Sequence, residues 1–256
     1  MTGSELRAAI ARGPVYGTFL KLPRAEIVEM LAIAGYDFLI CDMEHAQITE
    51  LEARHVIQAS RAARIAAVVR LPDPEQGIVN RLLEAGAAGI QVARHRAAED
   101  ARRVRALMRH PPEGVRSVGN AYALAGYGTV AAADYLAAAN ASSILVGQFE
   151  TRAIEEPIGR AVEGLDVAFI GLMDLSVDFG APGRFGDPQV AERVRAIEDA
   201  ARAAGVPLGG VAGSAEQAQA LAAVGYRYLA LASDTTMFLS SARSLLAGVP
   251  REGGER

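Results

Sequence analysis

The stretch Leu39-Ile-Cys-Asp-Met-Glu-His-Ala46 decides how this chain is read. An apolar run from Tyr36 to Cys41 delivers three ionisable residues, Asp42, Glu44 and His45, within four positions. A buried strand running out into a polar loop leaves this pattern. Three later apolar runs finish in the same way: on Arg70, on Glu150 and just before Asp174. We read these as four strand ends facing one pocket, with the rest of the chain as scaffold.

Outward from that stretch, short apolar runs alternate with longer helical patterns, the signature of a parallel sheet. Strands are expected at residues 15–20, 37–41, 65–69, 89–92, 143–148, 167–171, 207–211 and 228–232. Helices are expected at 24–34, 49–62, 97–109, 130–140 and 188–204, with another running from Pro74 to Ala85; Gly35, Gly86 and Gly205 act as stops. Two irregular pieces, 110–128 and 178–187, are rich in glycine and proline. Eight strands with helices between them favour a closed barrel over an open, doubly wound sheet. No Gly-x-Gly-x-x-Gly follows the first strand, which weighs against dinucleotide binding. The expected fold class is α/β, a single (β/α)8 TIM barrel forming one domain over residues 1–256.

The bulk properties agree. The 256-residue length is that of one such barrel, and a 51% apolar fraction fills a large core. A formal charge of −4, with basic residues scattered, offers no electrostatic case for nucleic acid or an anionic membrane. Cys41 is the only cysteine, so no internal disulfide and no cysteine metal cluster can form. The first twelve residues lack an apolar targeting core, and no run approaches a membrane span. A cytoplasmic protein is expected.

In barrels of this class the active site lies at the carboxyl ends of the strands. Glu150 and Asp174 there form a candidate pair for Mg2+ or Mn2+, with water and substrate completing the shell. Helix N-cap or first-turn acids are the ordinary alternative. Gln148 shares a strand face with Glu150. Arg70 can hold a carboxylate bidentately or neutralise an oxyanion, or else form a structural ion pair with a strand-end acid. His45 is a candidate general base oriented by Asp42 or a water, or a loop histidine with an ordinary hydrogen bond. Glu84, at a helix end before Gly86, reads as a surface acid. The run Gly209-Gly-Val-Ala-Gly-Ser214 reads as a glycine-rich turn in preference to a phosphate cradle.

Taken together, Asp42-Met-Glu-His45, Val69-Arg70, Pro111-Pro-Glu-Gly-Val-Arg116, Gln148-Phe-Glu-Thr-Arg152, Gly171-Leu-Met-Asp-Leu-Ser176 and Asp234-Thr-Thr236 resemble the HpcH/HpaI aldolase family, the metal-dependent class II pyruvate aldolases. The likeness runs from about Val15 to Leu246. It implies a divalent cation (Mg2+, Mn2+ or Co2+) on Glu150 and Asp174, chelated by a 2-oxo acid. It implies that Arg70 stabilises the enolate and that His45, paired with Asp42, acts as base through or beside a water. Gln148, Gly171, Leu172 and Met173 would line the 2-oxo acid end. Glu84 falls where the family has an acid reaching a neighbouring subunit's site. A homohexamer, a trimer of dimers exchanging a C-terminal helix near residues 235–246, is also implied. The reaction would be reversible carbon–carbon bond cleavage between an aldehyde and a 2-oxo acid enolate, from pyruvate or hydroxypyruvate. Lys21, the only lysine, would have to serve any Schiff-base alternative.

The chain departs from the family pattern at Leu172 and Met173, where Gly-Pro usually precedes the metal Asp, at Val92-Ala-Arg94, at Ser117, and at Leu124. An arginine near position 124 often serves acidic aldehydes, so Leu124 argues for a smaller or neutral one. Three rival readings remain: a citrate-lyase-β-like lyase of CoA thioesters using Arg94, Arg96 and Arg116, an oxaloacetate decarboxylase using the same site, and a non-enzymatic binding barrel.

Overall fold

The computed structural model describes residues 1–249. Eight parallel strands pair in chain order and the last closes on the first: β1 (Val15–Leu20), β2 (Phe38–Asp42), β3 (Ala66–Leu71), β4 (Gly89–Val92), β5 (Ile144–Phe149), β6 (Val167–Ile170), β7 (Leu208–Ala212) and β8 (Tyr226–Ser233). Helix α1 (Gly3–Arg12) precedes β1. Helices α2 (Ala25–Ile33), α3 (Glu50–Ala62), α4 (Gln76–Ala85) and α5 (Ala98–Met108) follow the first four strands. A 3-10 turn at Ala123–Gly128 and α6 (Ala132–Ser142) lead to β5. Helix α7 (Ile158–Ala161) follows β5, α8 (Leu172–Asp178) and α9 (Pro188–Ala204) follow β6, α10 (Ala215–Ala223) follows β7, and α11 (Asp234–Ala247) follows β8. The expected barrel is therefore present, with all eight strands within two residues of their expected bounds.

Two apolar layers hold it. Alternate strand residues face inward, among them Val15, Phe19, Phe38, Ile40, Val68, Val146, Phe169 and Tyr228. The intervening residues, such as Leu39, Cys41, Val69 and Leu145, face outward against the helices. Gly17 is part of this packing: a Cβ there would lie 2.3 Å from the Phe38 ring, which stacks on Tyr228 at 3.9 Å between centroids.

Helix α1 was not anticipated. Its Leu6 and Ile10 join the inner core, and its start carries a capping box between Thr2 and Glu5. The Thr-x-x-Glu spacing is the sequence signal that marks it. The Gly209–Ser214 run is also corrected. Its first four residues, Gly209–Ala212, belong to β7; only Gly213 and Ser214 form a bend, and Ser214 caps α10. A Cβ on Gly209 would meet Phe169 and Val167 at 2.9 Å, so the glycine is there for packing.

Candidate active site

The inward series of each strand decides what reaches the top of the barrel. On β2, Phe38 and Ile40 point in, and Asp42 continues the series. On β3, Ala66 and Val68 point in, and Arg70 continues it. Asp42 and Arg70 are register partners. Gln148 ends the same series on β5, with Glu150 two residues on, and Lys21 extends that of β1. Asp174 lies in the first turn of α8, after β6. Arg70, Gln148, Gly171 and Asp174 line one cavity of about 580 Å³, together with Lys21 and Phe19. Leu172 and Met173 line it as well.

Asp42 is fully buried and fully used. It accepts from Arg70 Nε (3.0 Å) and Nη2 (2.8 Å), and from the backbone amides of Glu44 (3.2 Å) and His45 (3.1 Å). Burial pushes its carboxyl pKa up, but the hydrogen bonds and charge of Arg70 more than reverse this, leaving it below its ordinary value. The expected pairing of Asp42 with the His45 imidazole is thus corrected: Asp42 holds the His45 backbone, and its oxygens face Arg70. The carboxylate nearest the ring is Glu44, whose Oε2 lies 3.8 Å from His45 Nε2 and 3.3 Å from Arg70 Nη1. Glu44 received no role from the sequence, although its place in Asp-Met-Glu-His was the signal. His45 itself is exposed at the rim.

Arg70, only 4% exposed, also lies over the Phe19 ring at 4.7 Å. Its ion-pair alternative and its functional reading therefore coexist. Two edges of the guanidinium are held by Asp42 and Glu44, and the group still faces the cavity.

Glu150 is buried beside Gly171. Its Oε1 accepts from the Arg94 backbone amide (2.6 Å), and its Oε2 accepts from Gln148 Nε2. Gln148 in turn accepts from Gln91. Burial raises the Glu150 pKa; the Gln148 and Arg94 hydrogen bonds oppose this, and the charges of Glu44 and Asp174 add to it. Asp174 is exposed to the cavity. Four carboxylates (Asp42, Glu44, Glu150 and Asp174) thus face two cations, Arg70 and Lys21, an imbalance that a divalent cation would neutralise. A Cβ on Gly171 would sit 2.9 Å from Glu150 Oε2 and 3.2 Å from Gln148 Nε2, so only glycine leaves this cradle open. Among the described residues, no group of three His, Cys, Asp or Glu side chains lies at metal-binding spacing. The donor set fits a hard cation on two carboxylates with positions left for water and substrate, and does not fit a closed structural site.

Glu84 stands apart. It lines a second cavity of about 490 Å³ on the barrel flank, with Tyr122, Arg81 and Glu50. The surface-acid reading fails, because Glu84 is only 5% exposed. Burial raises its pKa, and the nearby Tyr122 hydroxyl and the Arg116 charge oppose this without reversing it. Leu124 lies on the neighbouring 3-10 turn and lines neither cavity. Arg116 is 2% exposed and therefore closed to a CoA phosphate. His95 and His110 are buried, and their rings bond to backbone carbonyls of Ala161 and Arg116.

Comparison with known proteins identifies the family. The family model described as HpcH/HpaI aldolase/citrate lyase matches residues 15–241. A 2-keto-3-deoxy-L-rhamnonate aldolase of Salmonella gallinarum is 33% identical over 234 residues, covering 90% of this chain and 87% of that protein. A hydroxypyruvate/pyruvate aldolase of Roseovarius nubinhibens is 34% identical over 250 residues, covering 95% and 96%. The crystal structure of an HpcH/HpaI aldolase/citrate lyase family protein from Burkholderia cenocepacia superposes with a TM-score of 0.88 at 31% identity, covering 95% of this chain and 98% of that one. The strand-end carboxylates, the buried arginine and these matches lead to one conclusion: this chain belongs to the HpcH/HpaI aldolase/citrate lyase family of carbon–carbon lyases.

Proposed function

We propose that this chain is a divalent-cation-dependent aldolase that reversibly joins the enolate of a 2-oxo acid, pyruvate or hydroxypyruvate, to an aldehyde. The observation that carries the reading is the convergence of Arg70, Gln148 and Asp174 on one cavity, with Glu150 cradled against Gly171 at its wall. Glu150 and Asp174 would hold the cation, Mg2+, Mn2+ or Co2+, which when bound polarises the keto group as a Lewis acid. Arg70, held at Asp42 and Glu44, presents its remaining N–H groups to the acid's oxygens and stabilises negative charge as the enolate forms. Its ion pairs fix the guanidinium beforehand, so no reorganisation is needed during reaction. Gln148, Gly171, Leu172 and Met173 shape the wall on which the 2-oxo acid sits. His45 acts as base on the aldol hydroxyl, directly or through a water, with Glu44 as the acid closest to its ring.

Two further features support an oligomer. Helix α11 packs Met237 against the barrel but leaves its other large apolar residues out: Phe238, Leu239, Leu245 and Leu246 are 50–77% exposed. That fits a helix exchanged within a homohexamer built as a trimer of dimers. Glu84, in the flank groove, would then serve a neighbouring subunit's site. Light scattering that found a monomer at micromolar concentration would refute this arrangement. Among the described residues no helix is long and apolar enough to cross a membrane.

The test is isotope exchange. Metal-stripped protein is incubated with pyruvate or hydroxypyruvate in D2O, Mg2+, Mn2+ or Co2+ is added, and C3 proton loss is followed by NMR. Exchange should require the cation and should be lost in Glu150→Ala. Protein that neither exchanges C3 protons nor forms an adduct when glycolaldehyde is added would refute the aldolase reading.

A further inference from the structure

Lys21 is the only lysine in the chain, and it stands inside the mouth. Its backbone amide, like that of Leu22, donates to the buried Asp234 carboxylate at 2.8–3.0 Å, so the first residue of α11 fixes where the lysine emerges. Its ammonium lies 3.5 Å from Asp42 Oδ2, the oxygen that Arg70 Nη2 holds at 2.8 Å. Among the described residues it makes no hydrogen bond, so its three donors remain available.

The wall around Lys21 differs from the opposite one. Strands β3 and β5 carry Arg70 and Gln148, and Gly171 directly follows β6. The adjoining β7, β8 and β1 side carries Val211, Gln217, Ala232, Thr236 and Lys21. The cavity has the volume of pockets that take ligands well above three carbons (about 300–1,000 Å³). A 2-oxo acid held by Arg70 and Gln148 therefore leaves the Lys21 side for the second reactant. Because Lys21 and Arg70 flank one carboxylate oxygen, the two reactants would lie side by side, as bond formation requires.

Resting on the aldolase reading, we propose that the β7–β8–β1 side of the mouth is the acceptor subsite, that Lys21 is its specificity-determining residue, and that it selects neutral, hydroxylated aldehydes. The charge balance gives the selection. Asp42, 3.5 Å away, already compensates Lys21, and Arg70 together with the cation is taken up by the 2-oxo acid, so a second anionic group has no free counter-charge. The ammonium instead donates hydrogen bonds to hydroxyl oxygens of the acceptor.

Steady-state kinetics with pyruvate test this, comparing D-glyceraldehyde with propionaldehyde, its counterpart without hydroxyls, in the parent and in Lys21→Met, which keeps the aliphatic stem. The parent should favour glyceraldehyde. The variant should lose roughly ten- to a hundredfold in kcat/KM for glyceraldehyde and much less for propionaldehyde, so that the ratio of the two falls. Lys21→Gln, which restores a donor without charge, should recover part of the preference. Equal losses on both aldehydes, or no change at all, would overturn the assignment. A parent that prefers the anionic glyoxylate would overturn the neutral-acceptor selection. A parent that exchanges no C3 proton and forms no adduct would instead remove the aldolase reading, and the subsite with it.

Discussion

Replacing Gly171 with alanine should disable the site while the barrel stays folded. Gly171 has φ −85°, which alanine adopts, so the perturbation is purely steric. The added methyl would lie 2.8 Å from Glu150 Cβ, 2.9 Å from Glu150 Oε2 and 3.2 Å from Gln148 Nε2. Carbon contacts settle near 3.5–4.0 Å, so Glu150 must retreat by about 0.7 Å or more. It cannot retreat freely, because Oε1 is held by the Arg94 amide and Oε2 by Gln148. Overpacking of this kind costs about 1–3 kcal/mol, a fall in Tm of about 2–10 °C for a chain of this size. The functional loss should be larger. A misplacement approaching 1 Å in a positioning group costs on the order of 10²-fold in rate. The assays are Mn2+ binding by electron paramagnetic resonance and pyruvate C3 exchange, with thermal melts alongside. Gly159→Ala is the control, since its new methyl meets nothing within 4 Å. A Gly171→Ala protein that binds Mn2+ and exchanges protons as the parent does would refute the cradle.

Arg70→Lys should retain a positive charge yet lose the two-point grip on Asp42, lowering exchange on the order of 10²-fold or more, read by the same NMR assay. Asp166 should contribute to acid sensitivity. Burial raises its pKa, but Arg105 and Arg7 outweigh that and leave it depressed. A depressed folded pKa gives stability that is present above the unfolded value of about 3.9 and is lost as pH falls through the folded value. Asp166→Asn should therefore lose about 1–3 kcal/mol at pH 7 and show a flatter acid limb in urea titrations; parallel limbs would contradict this. Cys41, buried with its thiol pushed up to about 12, should resist thiol reagents at pH 8 in the native protein and react fully in denaturant, as followed by mass spectrometry.

Most of the barrel was legible because its code is local. The apolar runs ending at Cys41, Val69 and Gln148 mark buried parallel strands whatever their neighbours are, and glycine stops separate them from helices. Helix α1 was equally local, announced by Thr2 and Glu5, and only its docking on the inner core needed coordinates. The candidate site was legible as a set of strand-end residues, since a closed parallel barrel brings all such ends to one rim.

The sequence by itself therefore determined the fold class, the rim and the residue types on it: Asp42, Glu44, His45, Arg70, Gln148, Glu150 and Asp174. It could not determine who holds whom. Asp42 and His45 are neighbours in the chain, yet register pairing of β2 with β3 gives the Asp42 carboxylate to Arg70, 28 residues away, and leaves Glu44 nearest the imidazole. Glu84 looked like a surface acid until the segment holding Tyr122 folded across it. Lys21 acquires its position from Asp234, 213 residues on. Local periodicity fixes which face a side chain takes, but partnership depends on the ladder register and barrel closure, and those follow from the packing of the whole chain.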